Sequence, residues 1–109
     1  VIQLKEGVRV THLTPQLLLA IHVVDGAYQS MGTYQCLITS VDDGKHGPTT
    51  LHGKGQAVDF HLHNVVNMKH PALVERIKVA LRDQEGQYGV YWEGAGTDSE
   101  HLHVEWNPK

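Results

Sequence analysis

Cysteine, clustered basic residues and long apolar runs are scarce in this sequence. The single cysteine, Cys36, excludes an internal disulfide and any zinc site built from several cysteines. The formal net charge is −3 and no basic run occurs, which argues against nucleic acid as a partner. The apolar run LLLAIHVV is short and interrupted by His22, so we expect neither a membrane-spanning helix nor a membrane partner. The first residues, VIQLKEGVRV, lack the basic-then-apolar order of a signal peptide, and the sequence leaves the location of the protein open.

The apolar and turn-forming residues predict one α+β domain that spans residues 1–109. A first helix is predicted within residues 11–32, where Thr14 can cap the N-terminus and Pro15 fits the first turn. Its predicted apolar face consists of Leu17, Leu18, Ile21, Val24 and Tyr28. A second helix is predicted over about residues 71–82, with an apolar side that consists of Leu73, Ile77 and Leu81.

Four segments have the β-branched, aromatic or alternating composition that is typical of strands. They are YQCLITSV, QAVDFHL, YGVYWEG and EHLHVEW. The segment DDGKHGPTTLHGKG, residues 42–55, is predicted to be a loop because it is rich in glycine and contains aspartate and proline. Since helices lie at the start and middle and strands lie between and after them, the order favours a small antiparallel sheet with two main helices.

Histidine is abundant, with nine residues spread along the chain, and several of them stand in a pattern suited to binding a metal. His52 and Asp59 are seven positions apart in HGKGQAVD, where the glycines allow the loop to approach the strand closely. His101 and His103 are two positions apart on the last predicted strand and therefore share one face. If that strand lies beside QAVDFHL, these groups converge in one cleft and supply the imidazole and carboxylate ligands that zinc takes.

Two sequence blocks carry a resemblance to a known family. The pattern H-x-x-G-x-A-x-D in HGKGQAVD, followed by HLH near the C-terminus, resembles the D-Ala-D-Ala carboxypeptidase family of zinc peptidases. That family includes vancomycin-resistance dipeptidases, phage L-Ala-D-Glu endolysins and the hedgehog signalling domain. The blocks TSVDDGKHGPTTLHGKGQAVDF and EGAGTDSEHLHVEWNPK, and the opening LTPQLLLAI, are most similar to small phage- and prophage-encoded members. The resemblance covers most of the chain, and it implies the fold of those zinc peptidases.

The resemblance implies a zinc site and assigns residues to it. His52, Asp59 and His103 match the family's three zinc ligands. Glu100, three positions before His103, matches the carboxylate that acts as general base, and His101 matches a histidine that assists the reaction. A zinc ion held by such a set activates water near neutral pH, so the implied reaction is hydrolysis of a peptide bond. Because both residues are present, the sequence leaves open whether Glu100 or His101 is the main acid–base residue. Strand alternation alone places Glu100 on the face opposite His103, and the alternative is that the preceding loop GTDS turns it inward.

The implied substrate is a stem peptide of peptidoglycan, cut at a D-Ala-D-Ala terminus or at an L-Ala-D-Glu bond. Many family members carry an arginine before the first ligand, whereas this chain has TSVDDGKH at that point. Lys45, His46 or Lys54 is predicted to supply the positive charge for substrate binding, although lysine lacks the planar pair of donors of arginine. The alternative function is a non-catalytic zinc-binding interaction module or a structural phage module.

A few other polar residues have more than one interpretation. Asp59, His61 and His63 form a rival ligand set on one strand face. We interpret His61 and His63 as solvent-facing or supporting residues, because a metal site closes only when ligands come from more than one element. Glu93 and Glu105 either orient the ligand histidines or lie on a solvated face. The aromatic residues predicted to line the core or the cleft wall are Tyr91, Trp92 and Trp106.

Overall fold

Two helices pack against one face of a five-stranded sheet in the computed structural model, which describes residues 1–10, 12–41, 56–82 and 87–107. The elements in chain order are β1 (Ile2–Leu4), α1 (Pro15–Ser30), β2 (Cys36–Ser40), β3 (Ala57–His61), a 3-10 turn (Asn67–Lys69), α2 (His70–Leu81), β4 (Tyr88–Glu93) and β5 (His101–Trp106). The predicted α+β class is therefore confirmed. Neither described helix is long and apolar enough to cross a membrane.

The sheet is mixed rather than antiparallel. Its strand order is β1-β2-β3-β5-β4, and β1 pairs with β2 in parallel, while every other neighbouring pair is antiparallel. The prediction of an antiparallel sheet was wrong because it omitted β1. This strand has only three residues and is stabilised by its pairing with β2, so its own sequence, IQL, carries too short a pattern to identify it.

The first helix begins and packs largely as its sequence predicts. Thr14 is the N-cap, and its hydroxyl accepts a hydrogen bond from the backbone N–H of Leu17. The prediction that Leu18 belongs to the buried face was wrong, since this residue is 48% exposed. Each residue advances the helix by about 100°, so Leu18 points away from the core that the preceding residue, Leu17, contacts. Ala20 lies on the buried face in place of Leu18. The buried residues of α1 are Leu17, Ala20, Ile21, Val24, Ala27 and Tyr28.

Alternation along the two central strands separates a core face from an open face. Val58 and Phe60 of β3 are fully buried, as are Leu102 and Val104 of β5. These side chains pack with both helices in the hydrophobic core. Because successive side chains on a strand point to opposite faces, the residues between them are directed away from the helices. The polar side chains of β3 and β5 therefore gather on the open face of the sheet.

The thiol of Cys36 is buried in the core at the start of β2. Burial and the nearby negative charge of Asp25 raise the pKa of Cys36 from 9.0 to about 12. We expect the native thiol to resist alkylation by iodoacetamide at pH 8, whereas the unfolded chain reacts readily, because the thiolate is the nucleophile. Mass spectrometry with and without denaturant measures the two rates.

The same shift in the pKa of Cys36 makes stability depend on pH. The folded state binds the proton more tightly than the unfolded state, so this contribution is complete below about pH 9. It is lost as the pH rises from about 9 towards 12. In Cys36→Ala, the unfolding free energy should fall less steeply over this range than in the wild type. Equal rates of alkylation in the native and unfolded chains would contradict the buried, protonated thiol.

Candidate functional site

An aspartate, a histidine and a glutamate form a hydrogen-bonded row on the open face. Asp59 of β3 and His103 of β5 are directly opposite partners in the strand register. Asp59 Oδ1 lies 2.8 Å from His103 Nδ1, and Glu105 Oε1 lies 2.9 Å from His103 Nε2. The side chains of all three residues are only 14–16% exposed. The imidazole of His103 is thus held between two carboxylates in a largely desolvated place.

The negative charges of the carboxylates in this row favour a positive charge at His103. Burial by itself lowers the pKa of His103, but the hydrogen bonds to Asp59 and Glu105 and the negative charges of Asp59 and Glu93 outweigh it and raise the pKa. When both ring nitrogens carry protons, Nδ1–H donates to Asp59 and Nε2–H donates to Glu105. If a divalent metal binds here, Asp59 and His103 would hold it with Nδ1 deprotonated, and Glu105 would accept the hydrogen bond from the proton on Nε2. A carboxylate on the far nitrogen is the usual partner of a metal-binding histidine, so these residues fit a metal.

His101 lies beside this row on the same face of β5. Its Nδ1–H donates to the carbonyl oxygen of Ser99 over 2.8 Å, which leaves the lone pair of the neutral ring on Nε2. Nε2 lies 2.9 Å from Glu93 Oε1 and 3.9 Å from Asp59 Oδ1. The imidazole can therefore take up or release a proton at Nε2, beside the Asp59–His103 pair. Glu93 accepts the hydrogen bond from the protonated ring.

Glu100 belongs to a different cluster. Its Oε2 accepts hydrogen bonds from Trp92 Nε1, at 2.7 Å, and from the backbone N–H of Gly96, at 3.3 Å. These bonds, above all that from Trp92, hold the pKa of Glu100 below its ordinary value. His70 Nδ1 and His63 Nε2 lie 3.7 and 3.8 Å from its two oxygens. Its contacts include neither Asp59 nor His103, as strand alternation predicted.

His70, which lies on α2 close to Glu100, is almost fully buried. His70 is 1% exposed, and its Nε2–H is shared between the carbonyl oxygens of Leu62 and Val65, at 3.1 and 2.9 Å. This arrangement leaves Nδ1 directed at Glu100 and packs the ring edge-on against Trp92. No signal in the sequence linked His70 to Glu100, because the contact joins distant parts of the chain.

The remaining predicted residues lie in the segment before β3. His52, Lys45, His46 and Lys54 are outside the described residues, so their assignments as zinc ligand and substrate-binding groups stay predictions. Among the described ranges, no group of three or more His, Cys, Asp or Glu side chains is arranged to hold a metal ion. Of the three predicted zinc ligands, Asp59 and His103 are in contact with each other, and His52 lies outside the described residues.

The rival ligands lie at the end of β3. His61 is the register partner of His101, and burial, His63 and Lys5 together lower the pKa of its imidazole. The rings of His61 and His63 are 5.3 Å apart, and His63 is 41% exposed. His63 follows the strand and contacts Glu100 rather than Asp59. This geometry favours the interpretation that both are supporting or solvent-facing residues.

No family model matches the sequence, and a search of curated proteins found no significant match.

Proposed function

We propose that this chain is a zinc-dependent peptidase domain, with the fold of the hedgehog and D-Ala-D-Ala peptidase group, that hydrolyses a peptide bond in peptidoglycan stem peptides. One observation carries the proposal: the Asp59–His103 pair on opposed strand positions, with Glu105 on the far nitrogen of the imidazole. In this proposal Asp59, His103 and His52 hold the zinc. When bound, zinc acidifies water and polarises the substrate carbonyl.

The residues around this site have separate tasks in the proposed reaction. Glu105 keeps the proton on His103 Nε2, which fixes the ring and leaves Nδ1 for the metal. His101 accepts a proton at Nε2 and delivers it to the leaving amine, because this nitrogen lies beside Asp59 and its other nitrogen is held by Ser99. Glu93 stabilises the imidazolium that forms. The position of His101 therefore supports it as the acid–base residue over Glu100.

The alternative proposal is a non-catalytic zinc-binding module, for interaction or for structure in a phage particle. The observation that favours it is the location of Glu100, the carboxylate that the family resemblance assigns as general base. Glu100 is engaged with Trp92 and the backbone of Gly96 and has no contact with Asp59 or His103. The two proposals share the metal ligands and differ in whether peptide bonds are cut.

A hydrolysis assay separates these proposals. The zinc-loaded protein is incubated with a synthetic stem pentapeptide that contains an L-Ala-D-Glu bond and a D-Ala-D-Ala terminus, with and without a chelator. We expect fragments whose masses sum to that of the peptide plus one water, and we expect the chelator to prevent their formation. The masses also identify the bond that is cut. If a zinc-loaded protein leaves both this peptide and whole muropeptides intact, the peptidase proposal is wrong and the binding module is favoured.

A further inference from the structure

We propose that Tyr91 forms the wall of the substrate-binding surface beside the Asp59–His103 pair, and that Gly89 holds its ring in place. The inference rests on the proposed peptidase function and adds a substrate-contacting residue to it. Tyr91 is on β4, directly opposite His103 in the strand register. The rings of Tyr91 and His103 have their centroids 6.0 Å apart and their planes inclined by 33°.

Gly89 is a glycine for reasons of space. It lies within β4 and does not have the positive φ angle that requires glycine elsewhere in the chain. A Cβ atom at this position would lie 2.7 Å from Cε2 and 2.8 Å from the hydroxyl oxygen of Tyr91. The ring of Tyr91 therefore lies back along its own strand over residue 89, where any other residue would displace it. Glycine weakens a strand, so the close approach of the ring is the local reason for having it.

The same space accommodates the glutamate that orients His103. Cγ of Glu105 would lie 3.0 Å from a Cβ atom at residue 89, and Gly89 and Glu105 are register partners. Because Gly89 has no side chain, the ring of Tyr91 and the methylene groups of Glu105 both fit beside it. This links the aromatic wall to the hydrogen bond between Glu105 and His103 Nε2.

The position of Tyr91 suits contact with a peptide. The residue is 49% exposed although it borders the nearly buried Asp59–His103 pair, so part of its ring surface is open. The hydroxyl lies over Gly89, and the aromatic carbon surface faces the site. Such a surface takes apolar groups, like the methyl group of an alanine residue next to the scissile bond. The ring rather than the hydroxyl therefore contributes to binding.

The test measures kcat and KM for the stem pentapeptide with zinc-loaded variants. Tyr91→Ala should raise KM about tenfold and leave kcat within about twofold, because it removes a contact made equally in ground and transition states. Tyr91→Phe should keep the wild-type KM. Gly89→Ala should raise KM as Tyr91→Ala does, and it should also weaken zinc binding, measured by competition with a chromogenic chelator, because Glu105 must shift.

Gly26→Ala is the matched control for Gly89→Ala. A Cβ atom at Gly26, on the exposed side of α1, meets no atom within 4 Å, so this variant should keep the wild-type KM and zinc affinity. Melting curves identify variants that fail to fold. If wild type cuts the peptide and Tyr91→Ala has an unchanged KM, the inference about Tyr91 is wrong while the peptidase proposal stands. If the zinc-loaded wild type cuts no stem peptide, the peptidase proposal and the inference about Tyr91 are both overturned.

Discussion

Replacement of Asp59 by asparagine is expected to abolish zinc binding and the stabilisation that zinc provides. The carboxamide has the shape of the carboxylate but no charge, and it leaves His103 without its anionic partner on Nδ1. A metal bound only by the native state stabilises that state by about 2.7 kcal/mol at a hundredfold excess over its Kd. For a domain of this size, the loss corresponds to a fall in Tm on the order of 10 °C. Elemental analysis and melting curves with and without zinc measure both effects.

Asp98→Asn is the matched control for Asp59→Asn. Asp98 is exposed in the turn between β4 and β5, so the same change of charge there should leave zinc content and Tm at wild-type values. A chelator should lower the Tm of the wild type and of Asp98→Asn but not that of Asp59→Asn. Stoichiometric zinc in purified Asp59→Asn would exclude Asp59 as a ligand and with it the proposed site.

Replacement of His101 by alanine is expected to lower kcat by about 10²- to 10⁴-fold, the usual contribution of a general acid–base residue. Its Nε2 lies 3.9 Å from Asp59 Oδ1, and the alanine side chain cannot transfer a proton from this position. Zinc content should be unchanged, because His103 keeps Asp59 and Glu105 as partners. Steady-state hydrolysis of the stem pentapeptide and elemental analysis measure the two quantities on the same preparation.

Glu100→Gln tests the competing assignment. The carboxamide oxygen can still accept the hydrogen bonds from Trp92 and Gly96, so the turn before β5 should stay in place and kcat should fall less than tenfold. If Glu100→Gln eliminates hydrolysis while His101→Ala does not, the acid–base role belongs to Glu100. The comparison is decisive because both residues precede His103 on the same segment, yet their side chains lie in separate clusters.

The sequence predicted the parts of the fold that have a strong local pattern. The capped, amphipathic α1, the second helix and the four longer strands were all found near their predicted positions. The predictions failed where tertiary contacts decide. Leu18 looks like part of the apolar stripe but has no core to pack against, and β1 is a strand only because β2 pairs with it. Neither the exposure of Leu18 nor the pairing of β1 can be predicted from the local sequence alone.

Strand alternation accounts for most of the site geometry that could be predicted from the sequence. It placed His101 and His103 on one face and Glu100 on the other, and both placements agree with the observed contacts. It could not show that β3 and β5 are neighbours with Asp59 opposite His103, because strand order and register depend on the whole sheet. The role of Gly89 was hidden for the same reason, since it depends on where the ring of Tyr91 lies.

The opposition of Asp59 and His103 across two paired strands has a consequence for redesign. Directly opposite side chains start from Cβ atoms about 4.5–5.5 Å apart, a spacing set by the backbone ladder rather than by side-chain packing. Changing the chemical identity of one of the two donors therefore leaves the span between their attachment points intact. If the pair holds a metal as proposed, replacing one of the two side chains should change the preference between harder and softer ions while the backbone keeps their spacing.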